Sequence, residues 1–263
     1  MIDDVQRAHI MARLRAAEAE EGVRILFAAE SGSRAWGFPS PDSDYDVRFI
    51  YAHPLGWYLR LTDARDVIER PLDERLVDLA GWDVRKALQL LLKSNPALYE
   101  WFASPIVYID DGAFRPAARS LFERHASART LAHHYASIVA GHWSRNIAGR
   151  EAVRLKRYVY VIRPLLSLQW VIATGLPPPM NMAELLAGSD VPAGVRRAIE
   201  DLIATKRITP ELGDGPRIGV LDTWIEERML TLDPTRRALA EHDQRATRDE
   251  ADALFQQIIG LSA

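Results

Sequence analysis

The residues best suited to chemistry in this 263-residue chain lie in one short stretch: Gly32-Ser33-Arg34, then Asp42-Ser43-Asp44-Tyr45-Asp46. Asp44 and Asp46 stand where Tyr45, Val47, Phe49 and Tyr51 alternate with Asp46, Arg48 and Ile50, a strand pattern. Residues two apart on a strand share a face, so the spacing predicts two carboxylates side by side. Two such charges about 4 Å apart repel by roughly 4 kcal/mol at an effective dielectric near 20. A cation, a proton or an arginine has to neutralise them. Oxygen-only ligands favour Mg2+ or Mn2+ over zinc, and Mg2+ commonly joins a few carboxylates to substrate phosphates. Gly32-Ser33, at an expected strand-to-helix turn, offers backbone N–H groups and a hydroxyl suited to terminal phosphates. A phosphate cradle followed by an acidic pair reads as metal-assisted transfer from a nucleoside triphosphate.

The elements that must position these groups are legible around them. Residues 23–29 form an apolar run, 45–51 alternate, and 75–80 and 106–109 are further strand candidates. Asp83 has the type and place of an N-cap for a helix with Val84, Ala87, Leu88, Leu91 and Leu92 on one face, stopping before Pro96. An amphipathic helix precedes the first strand, with Val5, Ile10, Met11 and Leu14 on one side and Gly22 as its stop. From about residue 113 helical periodicity takes over, over 127–147, 151–173 and several shorter segments from Met182. The expected class is α+β: a mixed-sheet domain over 1–112 followed by an all-helical domain over 113–263.

Gly32-Ser33, ten residues, then Asp44-Tyr45-Asp46-Val47 resembles the Gly-Ser plus Asp-x-Asp pattern of the DNA-polymerase-β-like nucleotidyltransferase superfamily. Further blocks resemble its RNA-repair-associated RlaP/YcgL-type family. They are Glu30-Ser31-Gly32-Ser33-Arg34-Ala35-Trp36-Gly37, Gly81-Trp82-Asp83 with Lys86, Lys93-Ser94-Asn95-Pro96 with Glu100-Trp101, and Leu155-Lys156-Arg157-Tyr158 with Arg163-Pro164. The resemblance implies a nucleotidyltransferase catalytic domain over 1–112 with a third carboxylate on a later strand. Asp78, between Val77 and Leu79, matches it in order and type, and Asp83 competes for the place. It also implies a two-metal mechanism, with Asp44, Asp46 and Asp78 holding Mg2+ or Mn2+ and pyrophosphate leaving. Gly32, Ser33 and Arg34 would grip the triphosphate of an NTP, and the acceptor implied is an RNA 3′ end. A protein hydroxyl, a small molecule, or a nucleotide-binding regulator without catalysis are the alternatives.

Other positions carry a functional and a plainer reading. Lys156, Tyr160 and Arg163 share a helix face amid Val159, Val161 and Ile162, which suits contact with triphosphate or acceptor. Asp42, after a proline, reads as a turn residue. Trp36, beside the Gly-Ser turn, is a core side chain or a platform for a base. Ser94-Asn95-Pro96 is a sugar or base contact, or simply the end of a helix.

Composition narrows the partners. Thirty-three basic and thirty-six acidic residues give a net charge of −3, which excludes a coat of polyanion-binding charge but not a local patch. The absence of cysteine excludes disulfides, thiolate zinc sites and a cysteine nucleophile. Acids at positions 3 and 4 argue against a signal peptide, and residues 158–174 carry Arg163, Pro164 and Gln169. That run is too short and interrupted for a span of about 20 apolar residues, so the expectation is a soluble, cytoplasmic protein.

Overall fold

Asp3 accepts a hydrogen bond from the Gln6 backbone N–H and starts the first helix, and Gly22, at φ 63°, ends it. Placing φ above zero is costly for residues with a Cβ, so the glycine fixes where the helix hands over to the sheet. The computed structural model describes residues 2–62, 64–210, 213–240 and 245–261. In chain order the elements begin α1 (Asp4–Glu21), β1 (Arg24–Glu30), α2 (Gly32–Ala35), β2 (Tyr45–Ala52), α3 (Leu55–Tyr58) and β3 (Val67–Arg70). They continue β4 (Val77–Asp83), α4 (Val84–Leu92), α5 (Pro96–Phe102), β5 (Val107–Asp110), α6 (Phe114–His125) and α7 (Ala128–Asn146). The last are β6 (Ala152–Arg154), α8 (Lys156–Thr174), α9 (Met182–Ala187), α10 (Ala193–Ile208), β7 (Asp214–Pro216), α11 (Gly219–Ala238) and α12 (Arg245–Ile259).

The chain gathers into two units, one of Met1–Ala35, Asp44–His125 and Asp243–Ala263, the other of Trp36–Ser43 and Ala126–His242. The first holds a five-stranded mixed sheet in the order β3-β4-β2-β1-β5. Only β2 and β4 run parallel; β1 pairs antiparallel with β2 and β5, and β3 with β4. Val47, Phe49 and Tyr51 of β2 pack with Ile10 and Leu14 of α1 and with Val77 and Leu79 of β4. Burying each such side chain contributes about 1.5–3 kcal/mol. Gly81 lies opposite Phe49 in the β2–β4 register, and a Cβ there would come within 2.2 Å of the Phe49 ring, so the close approach requires glycine.

The second unit is built on α7, α8 and α11. Tyr158 of α8 donates to Asp222 of α11 (2.7 Å) and accepts from the Ile218 N–H (3.0 Å), fastening these helices. The 36–43 segment belongs here. The Lys206 ammonium donates to the Phe38 carbonyl (3.0 Å), Arg207 to the Gly37 carbonyl (2.6 Å), and the Met182 N–H to the Trp36 carbonyl (2.9 Å).

The α+β class stands, with a difference in detail. The helical region is not all-helical: β6 and β7 form a two-stranded antiparallel sheet, and the helix expected from residue 151 begins at Lys156. Three-residue strands are too short for alternation to register. In the observed grouping α6 and α12 belong to the first unit. Arg24 donates to the Ile258 carbonyl (3.1 Å), and Arg124 pairs with Glu250. Contacts across more than a hundred residues leave no local pattern.

Candidate active site

The end of β1, the short α2 and the start of β2 form one corner of the sheet. Gly32 has φ 59°, and a Cβ on it would lie 2.0 Å from Asp46 Oδ2. The residue after β1 therefore has to be glycine both for its backbone conformation and for the room it leaves the carboxylate. The Ser31 N–H donates to the Asp46 carbonyl (2.8 Å), locking the turn to β2. Ser33 is half-buried on α2. Arg34 donates to the Asp44 carbonyl (3.0 Å) and lies 3.8 Å over the Tyr45 ring, so two of the expected phosphate contacts, Gly32 and Arg34, also shape the acidic segment.

The carboxylates set opposite one another by register are Asp46 of β2 and Asp78 of β4. Like charges across a strand pair destabilise it. Here Arg48 answers them: one guanidinium nitrogen is 2.9 Å from Asp46 Oδ1 and the other 2.8 Å from Asp78 Oδ2. Arg48 also donates to the Val47 and Asp78 carbonyls (3.1 and 3.3 Å). Asp44 is exposed and precedes the strand. Burial pushes the Asp46 carboxyl above its ordinary range, Arg48 pulls it back, and the charges of Asp44 and Asp78 push it up again.

Beneath this corner is a group that sequence reasoning passed over. Glu30, the last residue of β1, is fully buried, with Oε1 accepting the Asp46 N–H (3.0 Å) and Oε2 the Tyr108 hydroxyl (2.5 Å). Burial pushes its carboxyl up to about 7 against the pull of those two hydrogen bonds. An acid closing an apolar strand was the available signal, since such a residue has to be partnered or protonated. Arg48 was equally visible, two residues beyond Asp46 and hence on its face.

Asp83 occupies the far end of β4, opposite Tyr51. It is fully buried, accepts the Tyr58 hydroxyl (2.7 Å) and the Arg85 N–H (2.8 Å), and caps α4. Asn95 caps α5 by accepting the Leu98 N–H (3.3 Å), Pro96 is its first residue, and Ser94 is buried at φ 51°. Asp42 is an exposed turn residue.

Lys156, Tyr160 and Arg163 belong to the second unit. Lys156 opens α8 and is half-buried. Arg163 is buried, lies 4.4 Å over the Trp36 ring and donates to the Met180 carbonyl (3.2 Å). Tyr160 meets Trp36 edge-on at 6.4 Å. Within their own unit, Tyr160 and Arg163 thus hold the aromatic side chain that follows α2.

Among the described residues no three His, Asp or Glu side chains come together closely enough to hold a metal ion. Two carboxylates do converge on one positive group, Arg48, and their oxygens are the hard donors that Mg2+ or Mn2+ prefers. The donor set therefore fits a divalent cation in kind, with Asp46 and Asp78 as its base and Asp44 two residues before Asp46.

The structure places the glycine turn beside Asp46 at the start of β2, Asp44 just before that strand and Asp78 on its parallel neighbour. The chain belongs to the RlaP family, the RNA repair pathway DNA polymerase beta family, whose family model matches residues 6–257. It is 40% identical over 220 residues to the uncharacterized protein YcgL of Bacillus subtilis (strain 168), covering 84% of each chain. Among solved structures, the nucleotidyltransferase-like protein from Exiguobacterium sibiricum 255-15 aligns over 96% of this chain and 80% of its own, with a TM-score of 0.33 and 10% identity. Among the described residues no helix is long and apolar enough to cross a membrane.

Proposed function

We propose that this protein transfers a nucleoside monophosphate from an NTP to an acceptor hydroxyl, an RNA 3′ end, releasing pyrophosphate. The observation that carries the reading is the register pairing of Asp46 with Asp78 beside Gly32, in a chain of this family. Asp46 and Asp78 would hold Mg2+ or Mn2+, with exposed Asp44 drawn in as a third ligand on binding. The ion would neutralise the triphosphate and make the attacking hydroxyl more acidic. The chain's own contribution is position and electrostatics. Gly32 and Ser33 offer backbone N–H groups and a hydroxyl to the β- and γ-phosphates, and Arg34 adds charge next to them. Glu30 accepts the Asp46 backbone N–H and so fixes the main chain from which that carboxylate projects. The assignment of Lys156, Tyr160 and Arg163 to triphosphate or acceptor rests on their shared helix face and on the family resemblance.

With a net charge of −3, RNA would be held by a local surface. The test is incubation of the full chain with each α-labelled NTP, Mg2+ and an RNA oligonucleotide, with a lysate in parallel. A lengthened, labelled oligonucleotide is the expected product. A labelled polypeptide would replace the acceptor, and no label from any NTP would overturn the reading.

A further inference from the structure

We propose that Arg48 is a resident counter-cation of the acidic centre, holding Asp46 and Asp78 together in the metal-free protein and competing with divalent metal for them. This rests on the reading of these carboxylates as metal ligands. The geometry is specific. One guanidinium spans the two strands, giving 2.9 Å to Asp46 Oδ1 and 2.8 Å to Asp78 Oδ2, and two backbone carbonyls fix its plane. Its side chain is only 19% exposed, so the contacts are screened by water less than a surface ion pair would be.

Register and chemistry explain why the residue is there. β2 and β4 are parallel and in register at Asp46 and Asp78, so two carboxylates face each other wherever the sheet forms. Without metal they repel, and that repulsion acts on the strand pair that carries the site. Alternation puts residue 48 on the face of residue 46, one step along β2, the place from which a long side chain can reach both. A guanidinium suits the task because its planar fork gives separate donors to separate carboxylates. Bound in this way, it satisfies the same oxygens that a divalent ion would take. Metal loading is then an exchange of one cation for another, and the protein keeps a folded acidic centre at either stage.

Exchange makes opposite demands on stability and metal affinity, which separates it from a merely structural role. Arg48→Ala removes the competitor, so full-length protein should bind Mn2+ at least 10-fold more tightly, read as loss of the free Mn2+ signal in electron paramagnetic resonance. In chelator its Tm should fall below that of the unaltered protein, and saturating Mn2+ should narrow the gap. Arg48→Lys keeps one charge without the fork and should lie between the two; it also serves if Arg48→Ala does not fold. Weaker Mn2+ binding by Arg48→Ala or Arg48→Lys would overturn the proposal by making Arg48 a support for the metal. Unchanged affinity would overturn it too, as would absence of Mn2+ binding from every variant. The two readings fail separately. Protein that binds Mn2+ as expected but labels no acceptor loses the nucleotidyl-transfer reading and keeps the exchange.

Discussion

β4 carries two aspartates five residues apart, and the sheet treats them in opposite ways. Asp78 keeps 36% of its side chain exposed and faces a charged partner, Arg48, which also serves Asp46. Asp83 is fully buried, on the opposite face and at the other end, with its oxygens taken by a tyrosine hydroxyl and a backbone N–H. A carboxylate whose partner is a charged side chain can trade that partner for another cation. A carboxylate saturated by fixed neutral donors in a dry interior is part of the frame. Both sit in the strand that pairs with β2, so exposure and partner type, and not proximity in sequence, separate the group proposed to meet a ligand from the group that holds the fold.

The largest effect should come from the exposed end. Asp46→Asn and Asp78→Asn each remove half of the opposed pair, and nucleotide incorporation should fall by about 100-fold or more, the scale seen when one group that stabilises developing charge is lost. The Tm in chelator should change little, because the like-charge contact that disappears is offset by the loss of one ion pair to Arg48. Incorporation by α-label and Tm by circular dichroism check both. The comparison breaks if folded Asp78→Asn is fully active while folded Asp83→Asn is dead.

At the buried end the effect should move to stability. Asp83→Ala removes a helix cap, typically about 1 kcal/mol, and strands the Tyr58 hydroxyl, another roughly 1–3 kcal/mol. A total of about 2–4 kcal/mol, read from urea unfolding, is expected with incorporation per folded molecule unchanged. Asp83→Asn keeps a good capping oxygen and should recover most of it.

How much of this was visible beforehand follows from where each signal is stored. Gly32, Asp46 and the strand between Tyr45 and Tyr51 announce themselves by residue type and period-two alternation, which are local. So does the Asp83 cap, because Val84 opens an amphipathic helix directly after it. That Asp78 faces Asp46 is a fact of register between strands about thirty residues apart, and no local pattern states it. Arg48 was legible as a charge on the right face, but its span to Asp78 follows only from the parallel pairing. β3 has four residues and β6 and β7 three each, below the length at which alternation can be read. The place of α12 against the first unit depends on contacts such as Phe255 edge-on to Tyr58, 5.2 Å apart.

Glu30 extends the comparison to a third carboxylate, buried like Asp83 yet adjoining the exposed centre. Burial pushes it up from 4.5 to about 7, so the folded protein keeps that proton over a range where the unfolded chain has released it. Folding is therefore favoured at low pH by this group, and stability should fall as pH climbs from about 4.5 through 7, by on the order of 2–3 kcal/mol. Glu30→Gln has no proton to lose, and the pH dependence of its Tm across that window should flatten. An unchanged slope would assign the dependence elsewhere.

The smallest expected effect tests whether the buried end owes its stability to charge or to complete hydrogen bonding. Tyr58→Phe keeps the ring that meets Phe255 and removes only the hydroxyl that donates to Asp83 and accepts the His53 N–H (3.0 Å). One lost partner on a buried carboxylate should cost about 1–2 kcal/mol, because the Arg85 N–H remains and the Arg85 guanidinium, 4.9 Å over the same ring, stays beside it. Incorporation should be unaffected, since nothing at residues 46, 48 or 78 touches this tyrosine's hydroxyl bonds. If removing that oxygen instead abolishes incorporation without changing Tm, the two ends of β4 are not divided between frame and chemistry, and Asp83 rather than Asp78 becomes the third carboxylate.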